Sequence, residues 1–257
     1  GKTFSEADPE VSEGIDFARY YALSSRDKES ESTPLGVVLI VPPWNFPFAI
    51  TLGGVCAALA TGNTVILKPA PETVATSYLI AELLWSSGVP QNVLQFVPTR
   101  DDENGQYLVS HAGVDAVILT GSFDTALMFT KISAHINLLA ETSGKNAIYI
   151  SASADIDNAV KDLVHSAFGH AGQKCSAASL AIVDASIYSN PAFISQLKDA
   201  VESLQVGAGP DFSTSVGPLI HPPSGPLLRA LTSLDEGESW LLEPRALDAN
   251  GYLYSPG

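Results

Sequence analysis

From residue 36 onward the apolar positions come in short unbroken runs separated by longer mixed ones. Gly36-Val37-Val38-Leu39-Ile40-Val41 has no polar alternate and is rich in β-branched residues, the pattern of a strand buried on both faces of a parallel sheet. Residues 51–61 are small and apolar and stop at Gly62, which predicts a helix. Further buried strands are predicted over 63–68, 93–97, 115–119 and 147–150, and helices over 75–87 (closed by Gly88), 105–112 and 125–132. Such alternation implies right-handed crossovers and a doubly wound, Rossmann-like α/β sheet. Ahead of it, residues 3–22 read as an amphipathic helix with Ser5 as its cap and Ile15, Ala18 and Ala22 at helical spacing, packed on the domain that follows. The charged, serine-rich residues 26–34 read as a linker.

The second half is patterned differently. Val160, Leu163, Val164 and Ala167 mark a helix over 156–168 that delivers the chain to Phe168-Gly169-His170-Ala171-Gly172-Gln173-Lys174-Cys175-Ser176-Ala177. A strand is predicted over 179–183 and a helix over 192–204, with Asp199 and Glu202 on its polar face. Past Gly207 the pairs Gly217-Pro218, Pro222-Pro223 and Gly225-Pro226 predict long surface turns and weaker order toward Gly257.

Composition narrows the class. With 257 residues, 46% of them hydrophobic, the chain can bury a substantial core in one large domain or two smaller ones. A net charge of -15, from 28 acidic against 13 basic residues, argues against a nucleic-acid or anionic-membrane surface, where basic patches supply most of the affinity. Two cysteines make no disulfide framework, and Cys56 lies in an apolar helical run that would bury it. The histidines (His111, His135, His165, His170, His221) show no ligand spacing, so no metal is expected; His170 reads as structural. With no signal-peptide pattern and no apolar run of membrane-spanning length, a cytoplasmic location is the expectation.

Three segments carry candidate chemistry. Cys175 lies among small residues after Gly172, where a tight backbone lets a substrate carbon approach sulfur, and Lys174 places a positive charge beside it. Taken alone, Cys175 reads more readily as a buried small hydrophobe, since free cysteines are usually buried and inert. Glu141 stands in Ala140-Glu141-Thr142-Ser143-Gly144-Lys145-Asn146 and Asn45 in Pro42-Pro43-Trp44-Asn45-Phe46-Pro47. A thiol, a carboxylate and an amide are the nucleophile, base and oxyanion donor of acyl transfer. The Gly-x-Gly-x-x-Gly dinucleotide fingerprint is absent, but Leu119-Thr120-Gly121-Ser122 ends a predicted strand and opens a helix, where N–H groups suit a pyrophosphate, although in isolation it reads more readily as a plain turn. Lys68-Pro69-Ala70-Pro71-Glu72 follows another strand and puts a lysine and a carboxylate at the sheet's carboxyl edge, where a solvated ion pair is the alternative.

Together these words resemble the aldehyde dehydrogenase superfamily along the whole chain, and most of all its branch that oxidises glutamate γ-semialdehyde in proline breakdown. The resemblance implies a coenzyme-binding domain over 1–143 and part of a catalytic domain over 144–257. It implies that Cys175 attacks an aldehyde, Asn45 and the Cys175 N–H hold the oxyanion, and Glu141 activates the water that releases a carboxylic acid. It places Lys68 and Glu72 on the adenosine ribose, which favours NAD over NADP, Gly121 and Ser122 on the pyrophosphate, and Pro43 and Trp44 along the cleft. Ser176 is implied to contact the substrate carboxylate and Phe168 to line its aliphatic part. Ala126 departs from the second glycine of many members, and no Glu-x-Phe-Gly-Pro motif occurs, so the chain reads as a fragment. The resemblance also admits a fused upstream proline dehydrogenase domain and a homo-oligomer at full length. Two alternatives stand beside it: a coenzyme-A-acylating reductase, disfavoured by Glu141, and a coenzyme-binding module without activity.

Overall fold

The computed structural model describes residues 1–26 and 33–257, so most of the expected 26–34 linker lies outside the described residues. The chain divides into two compact units, one formed by Asp8–Ser143 and the other by Gly1–Ala7 with Gly144–Gly257.

The first unit opens with most of helix α1 (Phe4–Arg26). Ser5 lies inside this helix and does not cap it. Thr3 precedes the first turn, its carbonyl accepts from the Ala7 N–H at 2.9 Å, and its own N–H donates to Glu6 Oε2 at 3.0 Å, the reciprocal arm of a capping box. Further along, Glu10 Oε1 accepts from the Phe48 N–H at 2.7 Å and the Ala49 N–H at 3.3 Å. A carboxylate on α1 thus serves the open amides at the start of helix α2 (Ala49–Ala60), which the helix would otherwise leave without acceptors.

The elements then alternate: β1 (Val37–Val41), α2 (Ala49–Ala60), β2 (Thr64–Leu67), a 3-10 turn (Pro71–Thr73) leading into α3 (Val74–Ser86), β3 (Leu94–Phe96), α4 (Glu103–Ser110), β4 (Ala116–Gly121), α5 (Phe123–Ile132) and β5 (Leu138–Thr142). All neighbours in the sheet are parallel, in the order β3-β2-β1-β4-β5. Alternate residues of β1 explain why its run is uniformly apolar. Val38 and Ile40 pack with Val55, Ala58 and Ala81 of α2 and α3 on one face, while Leu39 and Val41 pack with Val109 and Phe129 of α4 and α5 on the other. This is the doubly wound arrangement expected from the pattern. Strand β5 was not expected: its apolar stretch is only Leu138-Leu139-Ala140, between Asn137 and Glu141, and Leu139 and Ala140 are exposed.

The strand predicted over 147–150 does not join that sheet. As β6 (Asn146–Ile150) it belongs to the second unit and pairs in parallel with β7 (Ala178–Val183). Between them runs α6 (Ile156–Phe168), with bounds as predicted, capped by Asp155, whose side chain accepts from the Asn158 N–H. Two short helices were missed, α7 (Ala185–Tyr188) and, after α8 (Pro191–Glu202), α9 (Gly225–Thr232). The first is a single turn, too short to show a period, and the second begins at the Gly225-Pro226 pair that reads as a turn. One face of the small sheet (Ile148, Ile150, Ala181, Val183) packs with Val160, Leu163 and Val164 of α6 and with Ile187, Phe193 and Val201. From Val206 onward the chain holds α9 and two isolated bridges, Val206 with Val216 and Ala246 with Tyr254. Among the described residues no helix is long and apolar enough to cross a membrane, and no cluster of side chains suited to a metal ion is found.

Candidate functional site

In the first unit the order β3-β2-β1-β4-β5 reverses direction between β1 and β4. Crossovers on either side of such a pair go to opposite faces, so the loops leaving the two carboxyl ends part and leave a crevice. Those loops are Pro42-Pro43-Trp44-Asn45 after β1 and the Gly121-Ser122 turn at the end of β4, with Val41 beside Leu119 in the register. Lys68 follows β2 at the same edge, where its N–H donates to the Ile40 carbonyl at 3.0 Å. Thr120 pairs with Glu141 on β5. Parallel strands thus carry Pro43, Trp44, Asn45, Lys68, Glu72, Gly121, Ser122 and Glu141 to one edge of one sheet.

Each side chain there has its own setting. Pro43 is buried, and Trp44 and Asn45 are half-buried in the turn between β1 and α2. Lys68 is 4% exposed, not solvated, and its ammonium is paired with the carboxylate of Asp101, which follows β3. Asp101 was missed, since nothing in its Arg100-Asp101-Asp102 surroundings distinguishes it from a surface acid. Glu72 is exposed in the 3-10 turn ahead of α3. Ser122 is the N-cap of α5: its hydroxyl accepts from the Thr125 N–H at 3.0 Å and bonds the Thr125 hydroxyl at 2.8 Å. The remaining N–H groups of that first turn are what this helix start offers an anion. Cys56, expected to be buried, is half-exposed on α2, and burial still pushes its thiol pKa up.

The second unit holds Phe168, Cys175 and Ser176. Phe168 ends α6 and packs against that unit's core, and Cys175 and Ser176 are exposed. The loop between them has a rare backbone. His170 (φ 59°), Ala171 (φ 54°) and Gly172 (φ 69°) are successive left-handed residues, and the first two are the non-glycine residues with positive φ among those described. Such a conformation costs roughly 1–2 kcal/mol for each non-glycine residue, so the loop persists only because its surroundings hold it.

Several bonds do so. The His170 N–H donates to Glu6 Oε1 at 2.6 Å. The Gln173 amide donates to the Pro218 carbonyl at 3.3 Å and accepts from the Ile220 N–H at 2.9 Å. The Asn146 amide donates to the carbonyls of Cys175 at 2.6 Å and Ala177 at 3.1 Å. His170 is 7% exposed and sits inside this framework. Gln173 lies within the nucleophile word and Glu6 in the acidic first turn of α1, but neither showed in the sequence as a tether, because a tether is defined by what it reaches and not by any local pattern.

A thiol on a tightly held loop and a switch-point crevice rimmed by a lysine, carboxylates and a helix start narrow the choice of family. The Aldehyde dehydrogenase family model matches residues 1–257. The chain belongs to that family. It is similar to a 1-pyrroline-5-carboxylate dehydrogenase of Geobacillus sp. (strain WCH70), 38% identical over 242 residues, which are 86% of this chain and 47% of the relative. The enzyme of the same description from Geobacillus kaustophilus is 34% identical over 279 residues, covering 100% of this chain and 54% of its own. Among solved structures, Proline Utilization A from Corynebacterium freiburgense superposes with a TM-score of 0.95 at 48% identity, covering 100% of this chain and 27% of its own. A betaine aldehyde dehydrogenase double mutant from Staphylococcus aureus, solved in complex with NAD+, superposes with a TM-score of 0.81 at 30% identity, over 86% of this chain and 47% of its own. The chain spans about half the length of the curated relatives it matches.

Proposed function

We propose that this chain carries the coenzyme-binding part and the nucleophile of an NAD-dependent dehydrogenase that oxidises glutamate γ-semialdehyde to glutamate. The observation that carries the reading is the gathering of Asn45, Lys68, Glu72, Gly121, Ser122 and Glu141 at one sheet edge around the β1/β4 switch point, in a chain that belongs to the Aldehyde dehydrogenase family. The edge fits a dinucleotide. The start of α5 offers N–H groups for a pyrophosphate, and Glu72 is an exposed carboxylate able to accept from two ribose hydroxyls and to repel a 2′-phosphate. When bound, NAD supplies the hydride acceptor.

The chain's own groups do the rest. The Cys175 sulfur adds to the aldehyde carbon, and the Asn45 amide with the Cys175 N–H stabilises the alkoxide that develops on oxygen. After oxidation the acyl group remains on sulfur as a thioester. Glu141 takes a proton from water, the water oxygen attacks the acyl carbon, and the C–S bond breaks to release the acid. Ser176 donates to the substrate's distal carboxylate, and Phe168 faces its aliphatic part. The names of the relatives from Geobacillus support this substrate. Proline Utilization A as a structural relative supports a fused proline dehydrogenase domain in the protein from which the chain comes, and a homo-oligomer is part of the same reading.

The test separates binding from chemistry. The 257-residue chain should bind NAD in calorimetry more tightly than NADP, and Glu72→Ser should narrow that preference. In an enzyme of the relatives' full length that contains this chain, Cys175→Ala should abolish NADH formation without weakening NAD binding. Persistent turnover in that variant would overturn the proposal. Comparing glutamate semialdehyde with an uncharged aldehyde of similar length, Ser176→Ala should lower kcat/KM only for the first. Binding by the chain alone with no product would mark it as a coenzyme-binding module whose chemistry needs the remaining half.

A further inference from the structure

Asn146 lies in the same sequence word as Glu141, yet none of the steps above uses it. It is the first residue of β6, and its side-chain amide spans to two carbonyls of the nucleophile loop, Cys175 at 2.6 Å and Ala177 at 3.1 Å. Both hydrogens of one amide are thereby committed to the three-residue stretch containing the thiol. The surroundings are shaped for this contact. The β6–β7 register slips between Asn146 and Ala147, Asn146 standing opposite Ala178 and Ala147 opposite Leu180. That slip is where the loop enters β7. The Ser179 hydroxyl donates to the Asn146 carbonyl at 3.3 Å and fixes the backbone that carries the amide. Gly144 completes the cradle: a Cβ there would lie 3.0 Å from Asn146 Oδ1 and 3.4 Å from the Cys175 carbonyl oxygen.

We propose that Asn146 is the positioning residue for the nucleophile, its amide fixing the Cys175 carbonyl and hence the direction in which the thiol and the Ser176 hydroxyl leave the backbone. This rests on the reading of Cys175 as nucleophile. The left-handed run at His170 and Ala171 explains why an anchor is needed. Strained backbone relaxes unless it is held at both ends, and here Glu6 and Gln173 hold the beginning of the loop while Asn146 holds its end. A misplacement of about 1 Å at a reacting atom can cost roughly 100-fold in rate, so the loss of two directed bonds at the nucleophile should be read mainly in kcat.

Two variants and two measurements test it. In the 257-residue chain, Asn146→Leu should speed hydrogen exchange at the Ala177 N–H, which donates to the Lys174 carbonyl at 3.2 Å within the loop, by about tenfold or more, leaving exchange in the five-stranded sheet unchanged. In the full-length enzyme the same variant should lower kcat roughly 100-fold with the KM for coenzyme unaltered, and Asn146→Ser, which keeps one donor, should recover part of the loss. An unchanged kcat in Asn146→Leu would overturn the proposal. So would a fall in kcat that tracks faster exchange throughout the chain, or no recovery in Asn146→Ser, since each marks a merely structural residue. Turnover surviving in Cys175→Ala would refute the nucleophile reading instead, and the exchange result at Ala177 is independent of that outcome.

Discussion

The two units place their functional groups by different physical means. In Asp8–Ser143 the groups sit where parallel strands end, and the strands are held by cores on both faces, with Leu39, Val55, Leu67, Leu94 and Val117 fully buried. Position there follows from topology, and left-handed backbone falls on glycines: Gly36 (φ 125°), Gly62 (φ 82°) and Gly88 (φ 103°). In the second unit Cys175 sits on a loop with left-handed His170 and Ala171, kept in place by Glu6, Gln173 and Asn146. One site is set by the regular backbone, the other by side chains that reach across the chain to an irregular one. The first should fail only when the sheet fails, and the second should lose function while the unit stays folded.

The largest effect should come from the sheet. Leu39→Ala removes a fully buried side chain from the central strand, at a cost of about 2–5 kcal/mol, read as a fall in the denaturant midpoint together with loss of NAD binding. Weakened stability with NAD binding intact in the surviving folded fraction would break the link between sheet and site.

The same contrast explains what was legible in the sequence. Strands β1, β2 and β4, the helices between them and α6 were readable, because burial on both faces writes itself as an unbroken apolar run and burial on one face as a helical period. The edge strand β5 and the membership of β6 were not, since β5, unlike the edge strand β3 with its buried Leu94, has no buried residue to display, and pairing partners leave no local mark. At the site, Cys175, Glu141 and Asn45 stood out through short words, and Lys68 through its place after a strand. The roles of Asp101, which pairs with Lys68, and of Glu6 and Gln173, which hold the nucleophile loop, were not readable, even though Gln173 stands in the nucleophile word, because they lie in partners distant along the chain.

A smaller pair of substitutions should have opposite signs. At Gly62 a Cβ would stand 2.9 Å from Pro34 Cγ with φ at 82°, so Gly62→Ala should destabilise by about 1–2 kcal/mol. Ala171→Gly relieves a left-handed alanine and should stabilise by up to about 1 kcal/mol, while lowering kcat by loosening the loop. Thermal melts of both variants check the signs; a loss of stability in Ala171→Gly would mean the loop is not strained.

The smallest effect concerns pH. Asp184 caps α7, and hydrogen bonds from the Ser186 hydroxyl at 2.6 Å and the Ser186 N–H at 2.9 Å hold its carboxyl pKa below the usual carboxylate value. A lowered folded-state value contributes stability above the unfolded pKa, and that contribution is lost as pH falls through the folded one. The difference in melting temperature between the native chain and Asp184→Ala should therefore be present at neutral pH and shrink as pH falls below about 4. A difference that does not change with pH would remove the cap's charge from the account.

The central claim is that Cys175 carries the acyl group and Glu141 removes it. In an enzyme of full family length containing this chain, Glu141→Gln should be mixed with NAD and an aldehyde that has a distal carboxylate but no amine, such as glutarate semialdehyde, so that the adduct cannot cyclise off sulfur. Peptide mass spectrometry should then find the glutaryl thioester on Cys175 in near one-to-one yield, with NADH formed once per site. An unmodified Cys175 beside continuing NADH production, or the acyl group on a different residue, would contradict the account.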